Sequence, residues 1–284
     1  MKTALVLILL AVPCLAAAQS PQARLEADLA KARADVARDP SSADAAIWLG
    51  RRLAYLGRFP EAIDAFTQGI ATHPADARLY RHRGHRYITT RRFDLAVADL
   101  KKASQLIAGK KDEVEPDGAP NQAGIPRSTL QSNIWYHLGL VQFLSGDFAA
   151  ALASYREGMK VSRVNDDMLV ATSDWLYMTL RRLKRDAEAR QVLEPIREQM
   201  DVIENGAYHA RLLMYKGLRT PESVLNLNTA DDIQVATQGY GVGNWYLVNG
   251  DRARAREIFD RVLAGKATTA FGFIAAEADV KRGF

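Results

Sequence analysis

The sequence predicts an all-α solenoid of about five to six helix–turn–helix repeats, with capping helices at both ends. Two observations carry that expectation. A pattern of small and large residues restarts at a spacing of 34 residues, the mark of a stacked helical pair. Glycine and proline punctuate the copies where one helix must stop and the next begin.

The N-terminus is set aside first. Lys2 is the only charge in Met1–Ser20, Thr3 to Leu15 is almost wholly apolar, and Ala16, Ala17 and Ala18 follow. That is the order of a secretory signal peptide, expected over 1–18 with cleavage after Ala18. The apolar stretch is short for a membrane span, and no other run approaches that length, so no integral span is expected in the mature chain. Cys14 is the only cysteine and lies inside this segment, which leaves the mature chain without disulfide, zinc–thiolate or thiolate chemistry. Pro13 fits poorly before an acylated cysteine, so lipidation at Cys14 is the lesser alternative. The expected location is the periplasm of a Gram-negative bacterium. Loss of Lys2 lowers the formal net charge of +5 by one, a mild basicity that does not by itself argue for nucleic acid.

Residues 19–42 read as an N-terminal capping helix, Ala23–Arg38, ended by Asp39-Pro40. Repeats 1 and 2 occupy 43–107. With Ala43 at position 1, Leu49-Gly50 fall at 7 and 8, Gly57 at 15, Ala62 at 20, Phe66 at 24, Gly69 at 27 and Pro74 at 32. Ala77 restarts the pattern with Tyr80, Gly84, Tyr87, Phe93, Ala96, Leu100 and Ala103. Small residues at 8, 20 and 27 let helices approach, and large ones fill the space between. Gly57 and Gly146 suit a left-handed turn, and Pro60 sits in a first helical turn.

Residues 108–128 break the stack. Ala108–Arg127 carries three prolines and three glycines without helical period, and reads as a loop or hinge. Repeats 3 to 6 are expected over 129–266. A strong copy has Trp135, Leu138-Gly139, Gly146, Phe148, Ala151, Tyr155 and Gly158, and weaker ones cover Val170–Leu193 and Glu204–Val224. Ala236–Leu263 returns to form with Gly243, Tyr246, Gly250, Ala255, Phe259 and Val262. Residues 267–284 hold a last helix expected to cap the stack.

These signature positions resemble the tetratricopeptide-repeat (TPR) family, which implies a right-handed superhelix whose concave groove is lined by positions 2, 5, 9, 12 and 13 of each first helix. That places Arg51 and Tyr55 of repeat 1, Arg78, Arg81 and His85 of repeat 2, and Tyr136, Leu140 and Phe143 of repeat 3 in a partner-binding groove. Its N-terminal part is basic and the next part apolar. Arg51, Arg81 and His85 are expected to contact an acidic segment of a protein or peptide. The clamp by which some TPR domains hold chaperone tails is not matched, since its positions carry Ile47, Arg51, His82, Asn133 and His137. The C-terminal half, Asp174–Arg282, resembles the envelope TPR adaptors typified by new lipoprotein I, in "WLYMTLRRLKRDAEARQVL", "LLMYKGLRTPESVL" and "GNWYLVNGDRARAREIFDRVLA". That resemblance implies a scaffold role in envelope assembly or proteolysis.

Other motifs are weighed against this. His82 and His85 lie near each other on a helix, but Arg78, Arg81, Arg83 and Arg86 crowd them and oppose a cation. The acidic Asp112–Asp117 is open to three readings: a calcium loop, a solvated tether, or a segment folded onto the basic face of repeat 2. "GYGVGNW" from Gly239 has neither a preceding strand nor a following Lys-Ser, and reads as close helix packing. No GxSxG, HExxH or CxxC occurs. The reading is a protein-binding scaffold, not an enzyme, with no cofactor, metal or catalytic residue and no nucleic-acid partner. Self-association through the apolar repeat-3 groove is the alternative, and an enzyme on a helical-repeat scaffold the lesser one.

Overall fold

The computed structural model describes residues 20–118, 121, 123–227 and 229–284. The expected signal peptide, with Cys14 and the Ala18 cleavage point, lies outside them. Among the described residues there are fourteen helices and no strand. After α1 (Pro21–Arg38) come the pairs α2 (Ala43–Tyr55) and α3 (Phe59–Thr72), α4 (Ala77–Thr89) and α5 (Phe93–Leu106), α6 (Leu130–Leu144) and α7 (Phe148–Ser162). Then follow α8 (Asp166–Arg182) and α9 (Asp186–Val192), α10 (Gly206–Tyr215) and α11 (Pro221–Val224), α12 (Asp232–Val248) and α13 (Arg252–Leu263), and last α14 (Phe271–Arg282).

Five of the six pairs begin at a side-chain cap, the pair starting with α10 being the exception. Ser42 Oγ accepts from Ala45 N–H at 3.2 Å and Asp76 Oδ1 from Arg78 N–H at 2.9 Å, each satisfying a donor the helix cannot. Within a pair the fit depends on one small residue. A Cβ on Gly50, Gly84, Gly139 or Gly243 would collide with Phe66, Leu100, Tyr155 or Phe259 respectively, each sixteen residues further on. The turn between paired helices has a left-handed residue at Gly57, Gly146 and Gly250, and also at Arg91 (φ 60°) and Lys184 (φ 57°). Repeats 2 and 4 therefore keep the turn without the glycine. Arg91 holds it with three bonds, to Glu277 at 2.8 Å, Thr89 O at 2.7 Å and Thr268 O at 2.8 Å.

The weaker repeats are structurally short. The second helix of one, α9, has seven residues, and that of the next, α11, has four. The irregular chain between α9 and α10 is tied down by the buried Asp167 carboxylate, which accepts from the backbone N–H groups of Ile203, Glu204 and Asn205 at 2.8–2.9 Å.

Two features depart from a simple open stack. The 108–128 loop does not part repeat 2 from repeat 3, because α5 packs directly on α6. The last helix does more than cap. It packs on α12 and α13, and it also crosses the first helices of earlier pairs. Phe271 lies 5.3 Å from the His85 ring, Arg282 donates to Leu144 O, and Asp279 accepts from Arg182 and Arg282 and from Tyr240 Oη. The largest apolar cluster runs from Ile63 of α3 to α14 through this closure, while a smaller cluster around Phe66 joins α1 and repeat 1 to Leu79 of α4.

Candidate binding groove

The basic stretch of α4 faces the 108–128 loop. Helix periodicity brings Arg51 and Tyr55 of α2 beside Arg81 and His85 of α4, and the loop crosses over them. Glu115 is the centre of the crossing. Its carboxylate meets Arg81 Nη2 at 2.9 Å and accepts from the Asn133 side-chain amide. Arg51 Nη1 donates to Pro116 O at 2.9 Å and Arg52 Nη1 to Gly118 O at 3.0 Å. Gly118 passes so close that a Cβ there would collide with Tyr55 Oη and stand 2.6 Å from Arg51 Nη2.

The loop is also fixed at its base. Asp112 accepts from Thr129 Oγ1 at 2.6 Å and Gln131 N–H at 3.0 Å, so it helps cap α6. Glu115 N–H donates to Ser128 O at 3.0 Å and Leu130 N–H to Glu113 O at 2.9 Å. Of the three readings of Asp112–Asp117, the structure has the segment folded onto repeat 2. Asp112 and Glu115 point to different partners instead of converging on one point, which disfavours the calcium loop.

Beneath the loop lies a cavity of 210 Å³, lined by Arg51, Tyr55, Arg81, His82, His85 and Arg86 on the helix side and by Glu115, Asp117, Arg127 and Glu204 opposite. Burial, and then the adjacent Arg81 and Arg86 charges, hold the His82, His85 and His137 imidazoles well below their ordinary range, hence neutral at pH 7. His82 stacks on Phe66 at 5.6 Å while His85 lies 4.5 Å from His137. The two histidines thus serve different neighbours.

Four of the eight residues expected in the groove line this cavity: Arg51, Tyr55, Arg81 and His85. Arg78 does not. It pairs with Asp76 and Asp44, each at 2.6 Å, away from the loop. Tyr136, Leu140 and Phe143 are not an open apolar surface either. Leu140 and Phe143 are 0% exposed, covered as the C-terminal helices close over α6, and Tyr136 Oη bonds Tyr208 Oη at 2.8 Å and Trp175 Nε1 at 2.9 Å. The apolar face on which self-association was expected is therefore internal. Asn133, at a groove position of repeat 3, does reach the loop through Glu115, whereas Arg52 and Arg86 are groove residues that the repeat pattern missed. Arg86 falls one position beyond His85, off the five groove positions of the repeat pattern.

The geometry defines a class first: a solenoid of paired helices with a charged concave site. Comparison adds a family match over one repeat. Residues 132–165 match the tetratricopeptide-repeat family model, so the chain carries the repeat its pattern resembles. It is 30% identical over 118 residues to the Hsp70-Hsp90 organizing protein of Triticum aestivum, which covers 42% of this chain. The chain spans only 17% of that relative's length. Among solved structures, that of pilF from Pseudomonas aeruginosa superposes with a TM-score of 0.50 at 17% identity, over 87% of this chain and 88% of that one. A tetratricopeptide repeat protein from Parabacteroides merdae gives 0.50 at 12% identity, over 89% and 93%. At such identities these two likenesses show the fold alone.

Proposed function

We propose that this chain is a periplasmic scaffold that holds a protein partner by an acidic, extended segment laid into the groove of repeats 1 and 2. One observation carries the reading: the groove already grips such a segment of its own chain. Arg81 takes a carboxylate, and Arg51 and Arg52 take backbone carbonyls two residues apart. Side-chain charge and main-chain acceptors are read together, the usual way an extended peptide is recognised. The loop is then a placeholder that a partner displaces. The resemblance of Asp174–Arg282 to envelope adaptors supports a role in envelope assembly or proteolysis. The unmatched chaperone-tail clamp argues that the ligand is a different acidic segment from those tails.

The test is capture from a bacterial envelope extract by the mature chain and by an Arg51→Glu/Arg81→Glu variant. Proteins retained by the first and lost by the second are expected. Identical captured sets would overturn the reading.

A further inference from the structure

The loop satisfies the groove incompletely. Glu115 engages Arg81 and Asn133. Glu204 on the cavity rim takes the Asn121 amide at 2.6 Å, and Arg127 is held by Asp201 at 2.7 Å. Arg86 is the exception. Its guanidinium lines the cavity and has no carboxylate or carbonyl acceptor among the described residues; its one side-chain neighbour of note is the Phe59 ring, 5.7 Å away. Arg86 is half-buried, so its guanidinium is open to a ligand entering the cavity. Burial and the neighbouring Arg81 charge press the Arg86 guanidinium down to about 10, as expected of a cation held where a counter-charge is missing. A partly desolvated cation without a counter-charge carries a free-energy cost that a bound anion would offset.

We infer that the cavity beneath the loop is a binding site for a compact oxyanion, of phosphate or short-dicarboxylate type, held by Arg86 with the neutral His85 beside it. The size fits. At about 30 Å³ per water, a 210 Å³ cavity has room for such an ion and part of its hydration. Charge balance selects an anion over a cation, because Glu115, Asp117 and Glu204 are already engaged while the group lacking a partner is positive. The anion would sit under the closed loop. It therefore needs no displacement of Glu115, and it would hold the loop down against a competing peptide.

The test uses the full mature chain in a buffer free of oxyanions. Inorganic phosphate, sulfate and succinate are titrated at constant ionic strength, with chloride as the reference, and followed by calorimetry and by thermal melting. A saturable rise in melting temperature beyond chloride is expected for at least one of them. Arg86→Met should weaken that affinity at least tenfold. In the anion-free buffer it should melt no lower than wild type, since it removes an unpaired cation. Arg38→Met, at an exposed position, should leave binding unchanged. A wild type that responds to the oxyanions only as it does to chloride overturns the inference, as does an Arg86→Met chain that binds them unchanged. If Arg86→Met does not fold, the wild-type titration decides alone. Partner capture and anion binding can fail separately. Phosphate binding without any captured protein would leave this inference standing and sink the scaffold reading.

Discussion

The same side of the solenoid is treated in two ways. Across repeats 1 and 2 the first helices face a loop that touches them through one carboxylate and two carbonyls, and a cavity with an unpaired arginine remains beneath it. Across repeats 3 to 6 the first helices face α14, and the charges there are matched. Asp279 serves Arg182, Arg282 and Tyr240, and the Arg211 guanidinium is held by Asp174 at 2.7 Å and 3.0 Å. One surface is covered by polar contacts, which exchange readily with water or a ligand. The other is closed by aromatic packing and buried ion pairs, which do not, and the 200 Å³ cavity left there between Trp175, Tyr208 and Phe271 holds an arginine, Arg211, that is already paired. In this family of folds the concave side is not automatically a binding surface. What covers it decides.

The largest expected effect tests the closed side. Asp279→Ala leaves the buried Arg182 and the partly buried Arg282 without their anion and should cost roughly 3–5 kcal/mol, read by urea denaturation. A loss below about 1 kcal/mol would mean that α14 is held no more firmly than the loop. A smaller effect tests the covered side. Gly118→Val puts a side chain against Tyr55 and Arg51 and should undock the loop without altering any cationic groove residue. The affinity for a capped peptide of the loop's own sequence, Asp112 to Gly118, should then rise about tenfold, or about 1.4 kcal/mol, by fluorescence anisotropy. Unchanged affinity would show that the loop does not compete. The smallest effect compares two turns. Lys184→Gly relieves a left-handed residue and should stabilise by about 0.5–1 kcal/mol. Arg91→Gly should instead destabilise, because it removes the bonds to Glu277 and Thr268. Equal effects of the two would argue that those bonds contribute little.

How much of this the sequence shows depends on range. The small–large pairs such as Gly139 and Tyr155 lie within one repeat, so local pattern reveals them. Repeat 4 fades because Lys184 stands where glycine usually marks the turn, and because α9 gives way to chain fixed by Asp167. Docking of the acidic loop was legible as charge complementarity with Arg81, but not the part played by Asn133, whose bond to Glu115 needs the fold. The burial of Leu140 and Phe143 was not legible at all. It follows from the closing of α14, whose contact between Arg91 and Glu277 spans 186 residues and leaves no local trace.

That long contact bears on how the chain comes apart. In an open solenoid each repeat touches only its neighbours, so terminal repeats can fray while the middle persists. Here the turn of repeat 2 is bonded to the helix that follows the last repeat. Melting either end takes away contacts of the other, the Arg91–Glu277 pair and the packing of Phe271 on His85, so repeats 2 to 6 should unfold as one cooperative unit. Repeat 1 and α1 lie outside the closure and pack mainly in the smaller cluster, which leaves them as the part free to unravel first.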